Sequence, residues 1–238
     1  MCYIAEKNTE KEKMNLKNKI VLITGANSGI GNALAEKLIA ENYFVIGTSR
    51  NRKIENIKSE NLFVIELDLT NQKSIEKANS IIRTKFNGID ILVNNAGIAP
   101  DLDKTEPDLQ SLRSTFETNV FGLVNFTETI LDLVNQNGKI LNISSIMATL
   151  NITSKIDSTA YRMSKSALNM YTKTLSARLK DRNIDVNSIH PGWVNTKLST
   201  KGAPLSTEFS ANGIFKLIET EMETGNFWNA ELQEKMLW

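Results

Sequence analysis

This 238-residue chain predicts a single-domain α/β fold, a doubly wound parallel sheet with helices on both faces. Three observations carry it. Six short apolar, β-branched runs recur at residues 20–23, 43–46, 62–65, 89–93, 139–143 and 184–189. Each is bounded by polar residues or glycine, as strands buried on both faces are. Stretches with apolar residues at helical spacing lie between the runs, and strand–helix alternation at this interval calls for right-handed crossovers between parallel strands.

Taken in order, 32–40 sets Leu34, Ala35, Leu38 and Ile39 on one helical face, and 74–86 does the same with Ile75, Ala78, Ile81 and Ile82. Two longer helices are expected at 112–134 and 160–179. The four prolines and 12 glycines follow no period, so neither repeats nor a linker are expected. Residues 1–17 are polar and mixed in charge, which predicts a flexible extension ahead of one domain at 18–238. Met14 is an alternative start.

Composition excludes several classes. Hydrophobic residues at 41% and charged residues at 23% are globular values. Lys+Arg at 28 against Asp+Glu at 27 leave a net charge of +1, with no footprint for nucleic acid or an anionic membrane. One cysteine, Cys2, and one histidine, His190, build neither a disulfide framework nor a zinc site, so no metal is expected. No apolar run nears the roughly 20 residues of a membrane span, and the first residues lack a signal peptide's apolar core. The expected location is the cytoplasm.

The first run ends in a turn from Thr24 to Gly31, with glycines at 25, 29 and 31, ahead of a helix. Gly25 permits a tight turn, Gly29 allows backbone to approach a pyrophosphate, and Gly31 lets the helix pack closely on the strand. The helix N-terminus then presents free N–H groups and a positive dipole end to an anion. Tyr161 and Lys165 stand four apart on an expected helix, so both leave the same face. A nearby ammonium favours phenolate, and the pair is therefore expected to lower the tyrosine's pKa for proton transfer to a carbonyl. Ser144 and Ser145 end the fifth run at the sheet's carboxyl edge, where open α/β sheets bind ligands.

The pattern Thr-Gly-x-x-x-Gly-x-Gly, Asp68 past the third run, Asn94-Asn95-Ala96-Gly97 past the fourth, Asn119, Ser145, Tyr161-x-x-x-Lys165 and Pro191-Gly192 resembles the short-chain dehydrogenase/reductase family over about residues 18–228. Tyr161-Arg-x-Ser-Lys165, the His190–Thr196 segment and the terminal Trp238 look like its C-factor/sniffer-like branch, whose better-known members are carbonyl reductases. The resemblance implies a Rossmann fold. It also implies a catalytic set of Tyr161 as acid–base, Lys165 as tuner and ribose ligand, Ser145 orienting the carbonyl and Asn119 shaping a proton relay. Cofactor contacts are implied at Gly25, Asn27, Ser28, Gly29, Ile30 and Gly31, at Asp68 and Leu69, and at Asn94, Asn95, Ala96 and Gly97. Tyr161 and Lys165 join them, with Pro191, Gly192, Val194 and Thr196 at the nicotinamide. Family members commonly pair through their two long helices, so a homodimer or homotetramer is expected.

Cofactor preference is read from the end of the second run. NAD-preferring folds place a carboxylate there, whereas this chain has Ser49, followed by Arg50 and then Arg52. A guanidinium forks onto phosphate oxygens, which points to NADP, with NAD the lesser cofactor. The function expected is an NADP(H)-dependent oxidoreductase acting on a ketone, aldehyde or secondary alcohol. The alternative is a dinucleotide-binding signalling protein with little turnover. Segments 98–107, 146–159 and 196–209 are expected to select the substrate. A Ser–His–Asp hydrolase is disfavoured, because no G-x-S-x-G elbow is present and Pro191 directly follows His190.

Overall fold

In the computed structural model, which describes residues 18–151, 156–199 and 202–238, the chain forms one eight-stranded sheet in the order β3-β2-β1-β4-β5-β6-β7-β8. The strands are β1 (Ile20–Ile23), β2 (Phe44–Ser49), β3 (Leu62–Glu66), β4 (Ile89–Asn94), β5 (Val134–Ile143), β6 (Asp185–His190), β7 (Phe227–Asn229) and β8 (Glu234–Met236). All neighbours pair in parallel except β7 and β8. The α-helices are α1 (Gly29–Ala40), α2 (Gln72–Lys85), α3 (Leu109–Phe116), α4 (Leu123–Ile130), α5 (Thr159–Arg178) and α6 (Thr207–Glu219). The expected extension at 1–17, Met14 included, lies outside the described residues.

Alternate residues of each strand feed two cores. Leu22, Ile46 and Leu92 pack with Ile75, Phe126 and Leu168 of α2, α4 and α5. Val21, Ile23, Val45 and Val93 pack on the other face with Leu34, Leu38, Ile214 and Leu217 of α1 and α6. Strands sandwiched in this way must be apolar on both sides, which is why the runs lack alternation. The chain builds outward from β1 through β2 to β3, then crosses back to β4, so the carboxyl ends of β1 and β4 form a topological switch point.

Three features depart from the expected pattern. The helix expected over 112–134 runs from α3 to α4 through a π-helical turn, Glu117–Gly122, and ends in a 3-10 turn, Leu131–Leu133. β5 begins at Val134, although its regular ladder with β4 starts at Lys139, as expected. Helix α6 and the short β7 and β8 are not among the elements that the sequence pattern predicts. α6 carries local signals, the Ser206 cap that accepts from the Phe209 amide and a stripe of Ile214, Leu217 and Ile218. Among the described residues no helix is long and apolar enough to cross a membrane.

Candidate active site

A cleft of about 820 Å³ opens at the carboxyl ends of β1, β4, β5 and β6. Its floor begins with the glycine turn. Gly25 and Gly29 hold φ of +67° and +59°, conformations that glycine adopts without Cβ strain. A Cβ on Gly31 would lie 2.3 Å from Asn95 Nδ2 and 2.5 Å from the Gly25 oxygen, so glycine is required for the helix to approach β4. Asn95 locks that approach: its Nδ2 donates to the carbonyls of Thr24 and Gly25 at 2.9 and 3.1 Å. Thr24 Oγ1 in turn accepts from the amides of Asn95 and Ala96, both at 3.0 Å. Ser28, the α1 N-cap, makes no side-chain cap bond, and the first turn of α1 has no acidic residue.

Gly25, Asn27, Ser28, Gly29, Ile30, Arg50, Asp68, Leu69, Asn95, Ala96 and Gly97 line one stretch of the cleft, and Ser145, Tyr161, Lys165, Pro191, Gly192, Val194 and Thr196 line the rest. Gly31 and Asn94 lie beneath it. Asn94 is buried, its Nδ2 donating to Thr127 Oγ1 and Asn142 Oδ1, and Asn142 continues to Thr172 and Thr172 to Ser188. This chain of amides and hydroxyls ties α4 and α5 to the sheet under the site. Arg50 is exposed and borders the cleft, whereas Arg52, at φ +55°, sends its Nε to the Val64 carbonyl. The Ser49 hydroxyl is spent within the turn, accepting from the Lys53 amide at 2.8 Å and donating to Asn51 Oδ1. Asp68 accepts from the Thr70 amide and hydroxyl at 2.9 and 2.8 Å.

At the other end, Ser145 stands where β5 gives way to a 3-10 turn, and its Oγ accepts from the Met147 amide at 3.2 Å. His190, at the end of β6, steadies that turn: its Nδ1 accepts from the Ile146 amide at 3.3 Å. Burial pushes His190 down to about 4, so it is a neutral acceptor. Ser144 donates to Asn169 Oδ1 and is wholly buried.

Tyr161 and Lys165 leave the same face of α5, with the Lys165 ammonium 5.7 Å from the Tyr161 ring centroid. Lys165 donates to the Ile143 carbonyl at 2.6 Å, and burial lowers its pKa to about 8. Tyr161 is pushed up to about 12 by burial, against which a hydrogen bond from Ser145 works. The expected lowering of Tyr161 by Lys165 is therefore corrected: burial raises this tyrosine, and the opposing pull comes from Ser145. Asn119 sits in the π-turn, fully buried, and bonds Ile98 and Ser164. Trp193 borders the cleft, while Trp238 stacks on Phe227 away from it. Sequence reading missed Asp101, a buried carboxylate whose Oδ2 accepts from the backbone of Ala160 and Tyr161. No local signal marks it.

Comparisons with known proteins agree with this fold. The family model described as short chain dehydrogenase matches residues 19–204. The solved carbonyl reductase Sniffer of D. melanogaster superposes with a TM-score of 0.85 at 31% identity, over 93% of this chain and all of that one. The NADPH-bound carbonyl reductase from chicken fatty liver gives 0.85 at 27%, over 94% and 96%. The 3-oxoacyl-[acyl-carrier-protein] reductase FabG of Aquifex aeolicus is 34% identical over 197 residues, 79% of this chain and 78% of that protein. With the family model matching residues 19–204 and relatives above 30% identity over most of both chains, the chain belongs to the short-chain dehydrogenase family of oxidoreductases.

Proposed function

We propose that the protein is an NADP(H)-dependent reductase that interconverts a ketone or aldehyde with its alcohol, using Tyr161 as acid–base. The observation that carries this reading is the meeting of Ser145, Tyr161 and Lys165 at one end of a cleft whose other end presents the glycine turn and Arg50. The residues present fit a dinucleotide. Gly25 and Gly29 form a cradle that a Cβ would strain, and α1 offers uncapped N–H groups to a pyrophosphate. Arg50 and Asp68 would hold the adenosine half, and Tyr161, Lys165 and the 191–196 segment the nicotinamide half. NADPH is the cofactor that the chicken relative's structure contains. When bound, it supplies the hydride.

The chain's own residues do the rest. Ser145, whose hydroxyl acts on the Tyr161 phenol, and Tyr161 itself offer hydroxyls to one substrate oxygen. Tyr161 at about 12 keeps its proton at neutral pH, the form required to protonate a developing alkoxide. Lys165, charged below about 8, stabilises the phenolate left behind and is itself held by the Ile143 carbonyl. A pure dinucleotide-binding protein has no use for this acid–base pair, which weighs against the signalling alternative. We also propose pairing of two copies through α3–α4 and α5, where Leu109, Phe121, Met163 and Met170 are exposed.

The test is NADPH oxidation against a panel of ketones and aldehydes, run beside Tyr161→Phe. Wild type should turn over, and the variant should bind NADPH yet lose about 10²–10⁴-fold in rate. Tight NADPH binding without turnover on any carbonyl would favour the signalling protein.

A further inference from the structure

The helix that carries Tyr161 and Lys165 starts without a cap of its own. Its N-cap, Ser158, lies in the left-handed region at φ +58° and makes no side-chain cap bond, and its first turn holds no acidic residue. By contrast α2, α3 and α6 are capped locally by Asn71, Asp108 and Ser206. The free N–H groups of α5 go instead to a carboxylate about 60 residues back. Asp101 Oδ2 accepts from the amide of Ala160 at 2.6 Å and from that of Tyr161 at 3.4 Å. Asp101 is 1% exposed, and its Oδ1 takes no hydrogen bond among the described residues. Burying a carboxylate half-satisfied costs stability.

The segment around Asp101 forms one wall of the cleft, through Ile98 and Leu102. It is held at one end by Asn119, which bonds both the N–H and the C=O of Ile98. The other end is held against α5, where the Ser158 amide donates to the Lys104 carbonyl at 2.9 Å and the Asp103 amide donates to Ser158 Oγ. Asp101 sits between these two fastenings and accepts from the Tyr161 amide, whereas Ser164 Oγ donates to the Tyr161 carbonyl one turn on. We infer that Asp101 is a positioning residue, a long-range cap that sets the Tyr161 phenol against the pocket wall formed by Ile98 and Leu102. The inference rests on the reading of Tyr161 as the acid–base group.

Asp101→Ala removes the acceptor, and Asp101→Asn keeps one in the same place. A displacement near 1 Å is enough to cost two orders of magnitude, so Asp101→Ala should lower kcat by about 10- to 100-fold. NADPH affinity, read by the cofactor's fluorescence, should stay at the wild-type value, because the glycine turn and Arg50 are untouched. Asp101→Asn should restore most of the lost kcat. If Asp101→Ala does not fold, Asp101→Glu takes its place, with a carboxylate displaced by one methylene and the same expected loss in kcat at intact NADPH affinity. Wild-type kcat in these variants, or kcat and NADPH affinity falling together with no rescue by Asn, would overturn the positioning role. Tyr161→Phe separates the two readings: if it keeps full turnover, the acid–base assignment itself has failed. If it is inactive while the Asp101 variants are fully active, only the role of Asp101 has.

Discussion

Asn119 grips the peptide of Ile98 from both sides: its Oδ1 accepts the Ile98 N–H and its Nδ2 donates to the Ile98 carbonyl, each at 2.8 Å. Nδ2 also reaches Ser164 Oγ at 3.1 Å, so this one amide joins the π-turn, the wall of the cleft and the helix of Tyr161. A regular α-helix leaves side-chain amides on its surface; the wider turn at 117–122 accompanies the inward placement of this one. A Cβ on Gly97 would lie 3.2 Å from Asn119 Oδ1 and 3.6 Å from Lys165 Nζ, which puts the amide beside the lysine's head.

Replacing Asn119 with Ala leaves both backbone groups of Ile98 without a partner. At about 1–3 kcal/mol per orphaned group, Asn119→Ala should destabilise the fold by about 2–6 kcal/mol. Urea unfolding measures this. A loss below about 0.5 kcal/mol would show that water replaces the amide freely.

Arg50 is exposed at the rim of the cleft, whereas Arg52 is turned to Val64; on the proposed reading Arg50 is the guanidinium that meets a 2′-phosphate. Arg50→Ser should lower kcat/KM with NADPH by about ten- to a hundredfold and leave NADH unaffected, the scale of one charged hydrogen-bonded pair. Arg52→Ser should change neither. Ser49→Asp, which keeps an acceptor for the Lys53 amide, should shift preference toward NADH. Equal response of both cofactors to Arg50→Ser would refute the assignment.

The depressed Lys165 gives a stability signature at high pH. In the folded state it loses its proton near 8, in the unfolded state only near 10.5. Between these values the unfolded chain binds more protons, so stability contributed by this site rises with pH across the window. Measured against Lys165→Met, wild type should gain up to about 3 kcal/mol from pH 7 to 10.5. Reductase activity should fall as pH rises past about 8, and Lys165→Met should have lost it throughout. A pH-independent difference in stability would mean that the lysine is better solvated than its burial implies.

His190 gives a signature of the same sign in acid. The unfolded chain takes up a proton at about 6.5, but the folded site refuses it until about 4. Stability is therefore lost as pH falls through that window, by up to about 3 kcal/mol. His190→Asn retains an acceptor for the Ile146 amide without a titrating group, and its stability should be flatter over the same range. Thermal melts of both proteins from pH 7 to 4 decide it, and parallel curves would count against the buried, neutral histidine.

Local chemistry alone determined much of this protein. The six runs that became β1 to β6 are apolar on both sides because each lies between two layers, and that need is written residue by residue. The glycine turn is legible because φ above zero at Gly25 and Gly29 excludes other residues locally. Tyr161 and Lys165 are legible because a helix places i and i+4 side by side. Asn94, Arg50 and Arg52 show where that reading stops. The family resemblance implies Asn94 as a cofactor contact; the structure buries it, its Nδ2 donating to Asn142, 48 residues away. Two arginines with the same local credentials part company because one backbone turn aims them differently.

What only the tertiary structure decided is set by partners distant in the chain. The π-turn at Asn119 shares its apolar period with an ordinary helix and becomes visible only through Ile98 and Ser164. The pKa of Tyr161 follows burial, which no spacing encodes, and so it rises where the spacing from Lys165 predicts a fall. Asp101 caps a helix that begins some 60 residues later, and its isolated position in a polar loop gives no sign of that. Short-range order is dictated by bonds and dihedrals that neighbours share; desolvation and long-range hydrogen bonds exist only once the chain has closed on itself.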